Sequence, residues 1–394
     1  MATKKIVAQK FGGTSVATPE SRQRVVAHIQ RTLTEGYSPV VVVSAMGRRG
    51  APYATDTLLD LIHAQGEPVD GRDEDLIFHC GEVISVAILS HLLKLAGLRS
   101  VGLTGWQARI YTDGRWRRGK IVRIDPSRIL RHVEQGEIPV IAGGQGATAD
   151  EGEITILGRG ASDTSGVAVG VAVGAEKVEI YSDVPGVALA DPRVIPGARY
   201  LERISYRKMY EIGIYGARVM HPGAVLIGQR GNTPIVARST FSDSPGTLIG
   251  DVRDESPLVG IPILGNVHLL TVPEGRRWEM TPEDLFERFA AVGMQGEDGQ
   301  TLVVAVAPDW RREVEDSLKS QGLVVSSVAT DMGLVSLVGE PEFIATSFPT
   351  AKTVAAAMGI PVSFAERTDI RCTLAVPNRE TSRLAMAFYQ ALAS

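Results

Sequence analysis

The sequence predicts an α/β protein in two parts: a three-layer sandwich on a mainly parallel sheet over residues 1–250, then a pair of ferredoxin-like α+β units over residues 256–394. Three observations carry this expectation. In the first 250 residues, short runs apolar on both faces alternate with helical patterns, as buried parallel strands alternate with covering helices. After them, shorter strand and helix signals follow the order of two βαββαβ units of about 70 residues each. Glycine usage breaks at the same place, with 32 of the 42 glycines in residues 1–250 and 10 in residues 251–394. The loop-like segments Ser242-Asp243-Ser244-Pro245-Gly246 and Asp251 to Glu255 sit at the break.

Strands are expected at Ile6 to Ala8, Pro39 to Ser44, Val101 to Leu103, Ile138 to Ala142, Val178 to Tyr181 and Ile235 to Val236. Helices are expected near 20–34, 78–96, 163–174 and 205–217, and His221 before Pro222 reads as a helix end. Beyond 256, Val267 to Val272 reads as a strand. Thr281-Pro282-Glu283-Asp284 then opens a helix with a Thr cap, Pro at its first position and early acids, and Gly293 reads as its C-cap. Thr301 to Ala307 is a strand, and Asp309 is expected to cap a helix that ends at Gly322. Leu323 to Val328 and Gly333 to Gly339 read as two more strands. The pattern closes with a helix near 347–358, strands at Pro361 to Ala365 and Cys372 to Val376, and a helix from Glu380 to Leu392.

Composition removes several function classes. Net charge −4, from 41 basic and 45 acidic residues, gives no overall attraction to nucleic acid or anionic membrane. Cys80 and Cys372 are too few and too far apart for a disulfide framework or a CxxC metal site. The seven histidines show no paired-ligand spacing. No apolar run approaches the ~18 residues of a membrane span, and Met1 to Val7 has no signal-type stretch. The expectation is a cytoplasmic protein without nucleic-acid or membrane partners.

Four segments carry chemistry. Lys10-Phe11-Gly12-Gly13-Thr14-Ser15-Val16 ends the first strand, where a glycine pair can turn backbone N–H groups toward an anion beside a lysine. The spacing is neither a Walker loop nor a dinucleotide turn, and a bare glycine pair is more often a structural hinge. Leu157-Gly158-Arg159-Gly160-Ala161-Ser162-Asp163-Thr164-Ser165 crowds a guanidinium, a carboxylate and hydroxyls at a helix start, suited to a carboxylate or a phosphoryl group, although Ser162 or Asp163 could simply cap the helix. Tyr181-Ser182-Asp183-Val184-Pro185-Gly186, with Ala190-Asp191-Pro192-Arg193, lies at the carboxyl end of a strand, where open α/β sheets bind ligands. Glu82, after Gly81 in an apolar helix, either faces solvent or serves a ligand amine. Arg115 to Lys120 is basic but short, and reads as a solvated loop.

In combination these segments resemble the aspartokinases, within the amino-acid kinase superfamily. The motif KFGGTSV stands intact at Lys10 to Val16. LGRGGSDTT is matched by Leu157 to Ser165 with Ala161 and Ser165 as departures, and a GAKVxHP-like stretch is Gly216 to Pro222. Val43 to Gly47, Leu103 to Ala108 and Arg238 to Ser242 add to it, so the resemblance covers residues 5 to about 250. It implies a catalytic amino-acid-kinase domain over 1–250 and a regulatory pair of ACT-type units over 256–394. It implies transfer of the ATP γ-phosphoryl group to the side-chain carboxylate of L-aspartate, the first step toward lysine or diaminopimelate, threonine and methionine.

By the same resemblance, Lys10 would balance charge on the moving phosphoryl, and Gly12, Gly13 and Thr14 would cradle phosphate. Asp163 would organise the catalytic cations, with Mg2+ as the expected metal and its ligands unassigned. Arg159 would clamp a carboxylate of aspartate and Glu82 would receive its ammonium, which argues against an acceptor with a blocked amine. Ser44, Thr57 and Ser162 would line the aspartate pocket, and Ser182, Asp183, Arg193 and Arg218 would contact the nucleotide. Gly47 to Thr57 resembles the loop of the diaminopimelate-responsive class, so lysine or diaminopimelate is the expected effector at the ACT pair, and a homo-oligomer the expected assembly. Ala188, Arg218, Gly144 and Ala161 depart from the family pattern, which motivates an alternative, a catalytically weak paralogue acting as an amino-acid sensor or regulatory partner.

Overall fold

A computed structural model describes residues 5–158, 160–217, 219–254, 256–272, 280–296 and 301–392. Packing divides the chain into two units, Met1–Val187 with Ala224–Asp251, and Ala188–Gly223 with Val252–Ser394. Residues 188–223, counted from sequence with the first 250, thus pack with the carboxyl-terminal part.

The first unit begins β1 (Ile6–Phe11), α1 (Pro19–Thr34), β2 (Ser38–Val43), α2 (Thr55–His63) and α3 (Gly71–Leu95). It continues with β3 (Ser100–Leu103), β4 (Ile110–Thr112), β5 (Ile121–Ile124), α4 (Ser127–Glu134) and β6 (Ile138–Ala142). Then come β7 (Gln145–Ala147), β8 (Ile154–Ile156), α5 (Ser162–Ala172) and β9 (Lys177–Ser182). The second unit takes β10 (Arg203–Ser205) and α6 (Tyr206–Ile214), after which α7 (Pro222–Arg230), β11 (Ile235–Ser239) and β12 (Thr247–Gly250) complete the first.

The first unit's main sheet runs β12-β11-β9-β1-β2-β6-β3, parallel throughout except for β12 at its edge. The expected parallel sheet is therefore present, with β1 at its centre. On one face, Val25, Val26 and Ile29 of α1 and Val86, Leu89 and Leu93 of α3 pack on Phe11, Val41, Val43 and Val140. On the other, α5 comes so close that a Cβ at Gly170 would stand 2.4 Å from Val178 Cγ2 and one at Gly166 2.9 Å from Lys10 Cβ. The 25-residue α3 is long and apolar enough to span a membrane, and its buried Phe78, Val86, Leu89 and Leu93 account for that composition within a packed core. A small sheet, β5-β4-β7-β8, has no counterpart in the sequence reading, because three of its four strands have only three residues.

The second unit goes on with β13 (Leu258–Gly260), β14 (Ile263–Val272), α8 (Pro282–Phe289), β15 (Val292–Gln295), β16 (Leu302–Val306) and α9 (Arg311–Ser320). Its last elements are β17 (Ser327–Gly339), α10 (Pro341–Ala357), β18 (Phe364–Arg367), β19 (Arg371–Pro377) and α11 (Thr381–Leu392). One antiparallel sheet runs β15-β16-β14-β17-β19-β18, with β13 also on β17.

Two ferredoxin-like units are fused in this sheet, but not as consecutive repeats. The first comprises Val267–Val272, α8, β15, β16, α9 and the start of β17. The second uses the rest of β17, α10, β18, β19 and α11, and completes its sheet with Leu258 to Leu264, from ahead of the first unit. Register shifts between Leu264 and Leu269, with Asn266 at φ +54°, mark where β14 passes from one unit to the other. The two strands expected at 323–339 are one, since the ladder to β14 has partners on both sides of Asp331 despite its φ of +53°.

Three local expectations fail. Asp309 lies in a 3₁₀ turn (Pro308–Trp310) ahead of α9 and does not cap it. Gly293 lies in β15, and the left-handed cap of α8 is Ala290 at φ +48°. His221 precedes α7 rather than ending a helix, its Nδ1 accepting the Gly223 N–H at 3.2 Å.

Candidate active site

The site forms at the carboxyl edge of the main sheet, where β1 and β2 end side by side. Lys10 pairs in register with Val42 and Ile180, so its side chain emerges toward α5 from the centre of the sheet. Lys10 Nζ lies 2.6 Å from Asp163 Oδ1, on the first turn of α5. Ala161, not Ser162 or Asp163, is the N-cap of α5, and no side chain caps it. Asp163 stands on the first turn of α5, where the helix dipole favours negative charge. Ala161 has φ −73°, so its methyl group causes no strain.

After Lys10 the chain turns through Gly12 and Gly13 into a 3₁₀ turn, Gly13–Val16. A Cβ at Gly13 would come within 2.8 Å of both Ala45 O and Gly47 O, so only glycine lets this turn nest on the loop after β2. The Gly12 N–H donates to Tyr181 O at 3.1 Å, which removes it from the expected phosphate cradle. Gly13 and Thr14 open the turn, and the first N–H groups of a helical turn have no acceptor inside it.

Glu82 is the electrostatic anomaly. It is 3% exposed, with Oε1 accepting the Ala45 N–H at 3.3 Å and Oε2 making no hydrogen bond. Burial pushes its carboxyl up to about 8, against smaller opposing effects that include the Thr55 hydroxyl. Gly81 creates this closeness, since a Cβ there would stand 3.0 Å from Ala45 Cβ and 3.1 Å from Leu58 Cδ1. Next to Ala45, Ser44 Oγ donates to Ser162 Oγ at 2.9 Å, so consecutive residues after β2 reach Ser162 and Glu82. Thr57 serves a different end, its hydroxyl accepting the Gly50 N–H at 3.0 Å within the loop. Thr55, which the sequence reading passed over, is the hydroxyl beside Glu82. A threonine two positions away carries no distinguishing sequence signal.

Ser182 ends β9, with its Oγ accepting the Val184 N–H, and Asp183 Oδ2 lies 2.6 Å from Arg48 Nη2 in an exposed pair. Arg193 lies in the second unit and pairs with Asp191 at 2.6 Å. Arg159 and Arg218 fall outside the described residues. Gly144 holds φ +68°, with Phe78 Cε1 3.9 Å from where its Cβ would be, and Ala188 bridges antiparallel to Tyr200. A magnesium ion takes one or two protein carboxylates together with phosphate oxygens and water. Asp163 supplies one, and among the described residues no group of three or more His, Cys, Asp or Glu forms a cage. The donor set thus fits a metal that arrives with a polyphosphate.

A glycine turn at the end of the central strand and a lysine–aspartate pair at a helix start suit the positioning and charge neutralisation of phosphoryl transfer. The amino acid kinase family model matches residues 5–239, and the chain belongs to that family, among its aspartokinases. It is 35% identical over 408 residues to the aspartokinase of a Thermus thermophilus strain, covering 98% of each chain. To aspartokinase 1 of Bacillus subtilis it is 43% identical over 245 residues, 62% of this chain and 60% of that protein. Among solved structures, E. coli aspartokinase III in complex with aspartate and ADP superposes with TM-score 0.79 at 18% identity, over 99% of this chain and 100% of that one. Aspartate kinase from Synechocystis gives 0.56 at 28% identity, over 99% of this chain and 70% of that one.

Proposed function

We infer that the protein is an aspartate kinase, moving the γ-phosphoryl group of ATP to the side-chain carboxylate of L-aspartate to give 4-phospho-L-aspartate. The observation that carries this reading is Glu82, a buried carboxyl that binds the Ala45 N–H next to Ser44 and leaves its other oxygen without a hydrogen bond. A lone carboxylate in such a site is costly, and an ammonium group is the partner that restores its charge. The acceptor therefore bears a free α-amine. Its α-carboxylate is assigned to Arg159, and its side-chain carboxylate points toward the phosphate turn.

Carboxylate oxygen is a weak nucleophile approaching a polyanion, so catalysis rests on alignment and charge neutralisation. The acceptor oxygen bonds to the γ-phosphorus as the bond to the β–γ bridging oxygen breaks, and ADP leaves. Lys10 meets the charge on the moving phosphoryl, Gly13 and Thr14 offer N–H donors, and Ser44 and Ser162 line the acceptor pocket. Ser182, Asp183, Arg193 and Arg218 are assigned to the nucleotide. Mg2+, held by Asp163 with the phosphates, would neutralise polyphosphate charge. The full-length likeness to an aspartokinase does not favour the catalytically weak alternative. A panel of L-aspartate, L-glutamate and N-acetyl-L-aspartate tests the acceptor, with ADP released rapidly only for aspartate. Equal turnover of the acetylated compound would remove the role given to Glu82.

The same reading makes residues 1–250 catalytic and the paired α+β units of 256–394 regulatory, and puts the reaction at the head of lysine, threonine and methionine synthesis. Lysine or diaminopimelate is the effector class, supported by the solved complex of E. coli aspartokinase III with lysine and aspartate, which shares this fold at TM-score 0.69. The loop at Gly47 to Thr57 supports the diaminopimelate-responsive class. Strands β15 and β18 end their sheet, and such edges favour pairing with a second copy. Two free cysteines suit a cytoplasmic location.

A further inference from the structure

Asp75 lies two helical turns before Glu82 on α3 and is fully buried. Its carboxylate binds only backbone in the described contacts: Oδ1 accepts the Arg117 N–H at 2.9 Å, and Oδ2 accepts the Ile156 N–H at 3.0 Å and Arg117 N–H at 3.1 Å. Arg117 holds φ +65°, so this carboxylate fastens a tight turn as well as the last residue of β8. The Ile156 carbonyl accepts the Gly119 N–H at 2.7 Å, which closes turn and strand into one clamp. Phe78, one turn after Asp75, packs with Ile156 and Leu59.

The acceptor loop departs from the end of β8. The Leu157 N–H donates to Gly144 O at 2.8 Å, and the Gly144 N–H donates to Ser165 Oγ at 2.9 Å. Ser165 Oγ donates to Ser162 O, and Ser162 receives the Ser44 hydroxyl. Gly158 and Gly160, flanking Arg159 in sequence, hold φ of +88° and +75°, a backbone with little stiffness of its own. One helix therefore carries Glu82 directly and, through Asp75, the strand from which the 157–163 segment departs.

We propose that Asp75 is a positioning residue that sets the amino-acid subsite, holding the end of β8 and Leu157 at a fixed distance from Glu82. The proposal rests on the aspartate kinase reading, and the two fail separately: wild-type turnover of aspartate tests the reading, and the behaviour of Asp75 variants tests the positioning. Asn keeps one acceptor oxygen but sets an amide donor against a backbone N–H, and Ala leaves both N–H groups bare. In Asp75→Asn and then more strongly Asp75→Ala, KM for aspartate rises, by about tenfold or more for Ala, while KM for ATP stays within about twofold. Asp70→Ala, which removes the N-cap of the same helix, lowers the melting temperature and leaves both KM values unchanged. Hydrogen exchange on the wild type needs no variant to fold: aspartate slows exchange at the Ile156 amide and ATP alone does not. Unchanged KM for aspartate in Asp75→Ala, a parallel rise in both KM values, or Ile156 exchange indifferent to aspartate would each overturn the proposal.

Discussion

Lys10 Nζ stands 2.6 Å from Asp163 Oδ1, with only 9% and 13% of the two side chains exposed. Such a pair is weak evidence for stability, but losing one partner strands the other. Lys10→Met and Asp163→Leu should each destabilise the protein by about 3–5 kcal/mol, and the double variant by less than their sum. Each single change should also abolish turnover. Chemical denaturation and steady-state rates measure both, and strictly additive stabilities would show the pair to be uncoupled.

Glu82 makes stability depend on pH with a defined sign. Its folded carboxyl is raised from 4.5 to about 8 by burial, so the folded state keeps a proton that the unfolded state has released. Stability from this group is complete below pH 4.5, falls as pH rises from 4.5 to 8, and is constant above. Asp75, raised from 3.8 to about 6 by burial, acts the same way at lower pH. His28 and His79, lowered from 6.5 by burial, act oppositely below that value. From pH 6.5 to 8 the Glu82 contribution is still falling. Melting temperature of the ligand-free protein should fall across this interval, and Glu82→Gln should flatten the slope.

The same group predicts proton release. At pH 7 the empty site holds Glu82 protonated, and an arriving ammonium favours the carboxylate. Calorimetric titration of aspartate in buffers of different ionisation enthalpy should show close to one proton released per aspartate bound. Proton uptake would rule out the ammonium–Glu82 pairing.

Helix α5 approaches the sheet through two glycines on one face. A Cβ at Gly170 would meet Val178 and Ala8, and one at Gly166 would meet Lys10 Cβ at 2.9 Å. Gly170→Ala should cost about 1–3 kcal/mol by overpacking. Gly166→Ala should lower kcat more than it lowers stability, because it moves Lys10. Equal effects of the two substitutions on kcat would dissociate Gly166 from the site.

In the second unit, Arg371 is 4% exposed. Its guanidinium lies 3.9 Å from the Tyr215 ring centroid, 2.8 Å from Glu211 and 2.7 Å from Glu366. Arg371→Met strands Glu366 and should cost about 3–5 kcal/mol. Lysine cannot reproduce a planar group that stacks and binds two carboxylates at once, so Arg371→Lys should recover little of it. Full recovery in a denaturation series would reduce the network to simple charge.

The parallel sheet was legible because its strands are apolar on both faces, and Lys10 to Val16 and Leu157 to Ser165 pointed to a site through the family they resemble, their composition alone leaving a hinge and a helix cap open. The shared strands of the second unit were not legible. Leu258 to Leu264 completes a sheet whose other strands lie some 70 or more residues later, and no local period records such a pairing. Thr57 was assigned to the pocket by resemblance; its hydroxyl accepts the Gly50 N–H, and the hydroxyl that acts on Glu82 is that of Thr55. Asp75 was overlooked because an acid on the first turns of a helix looks like a dipole partner until its backbone partners are seen.

The most direct test of the aspartate kinase reading is to incubate the full-length protein with ATP, Mg2+, L-aspartate and hydroxylamine, and to assay aspartyl hydroxamate. An acyl phosphate formed on the side chain predicts hydroxamate that requires both ATP and aspartate and vanishes in Lys10→Met and Asp163→Leu. Absence of hydroxamate at saturating substrates, from a protein that folds and binds both, would contradict the account.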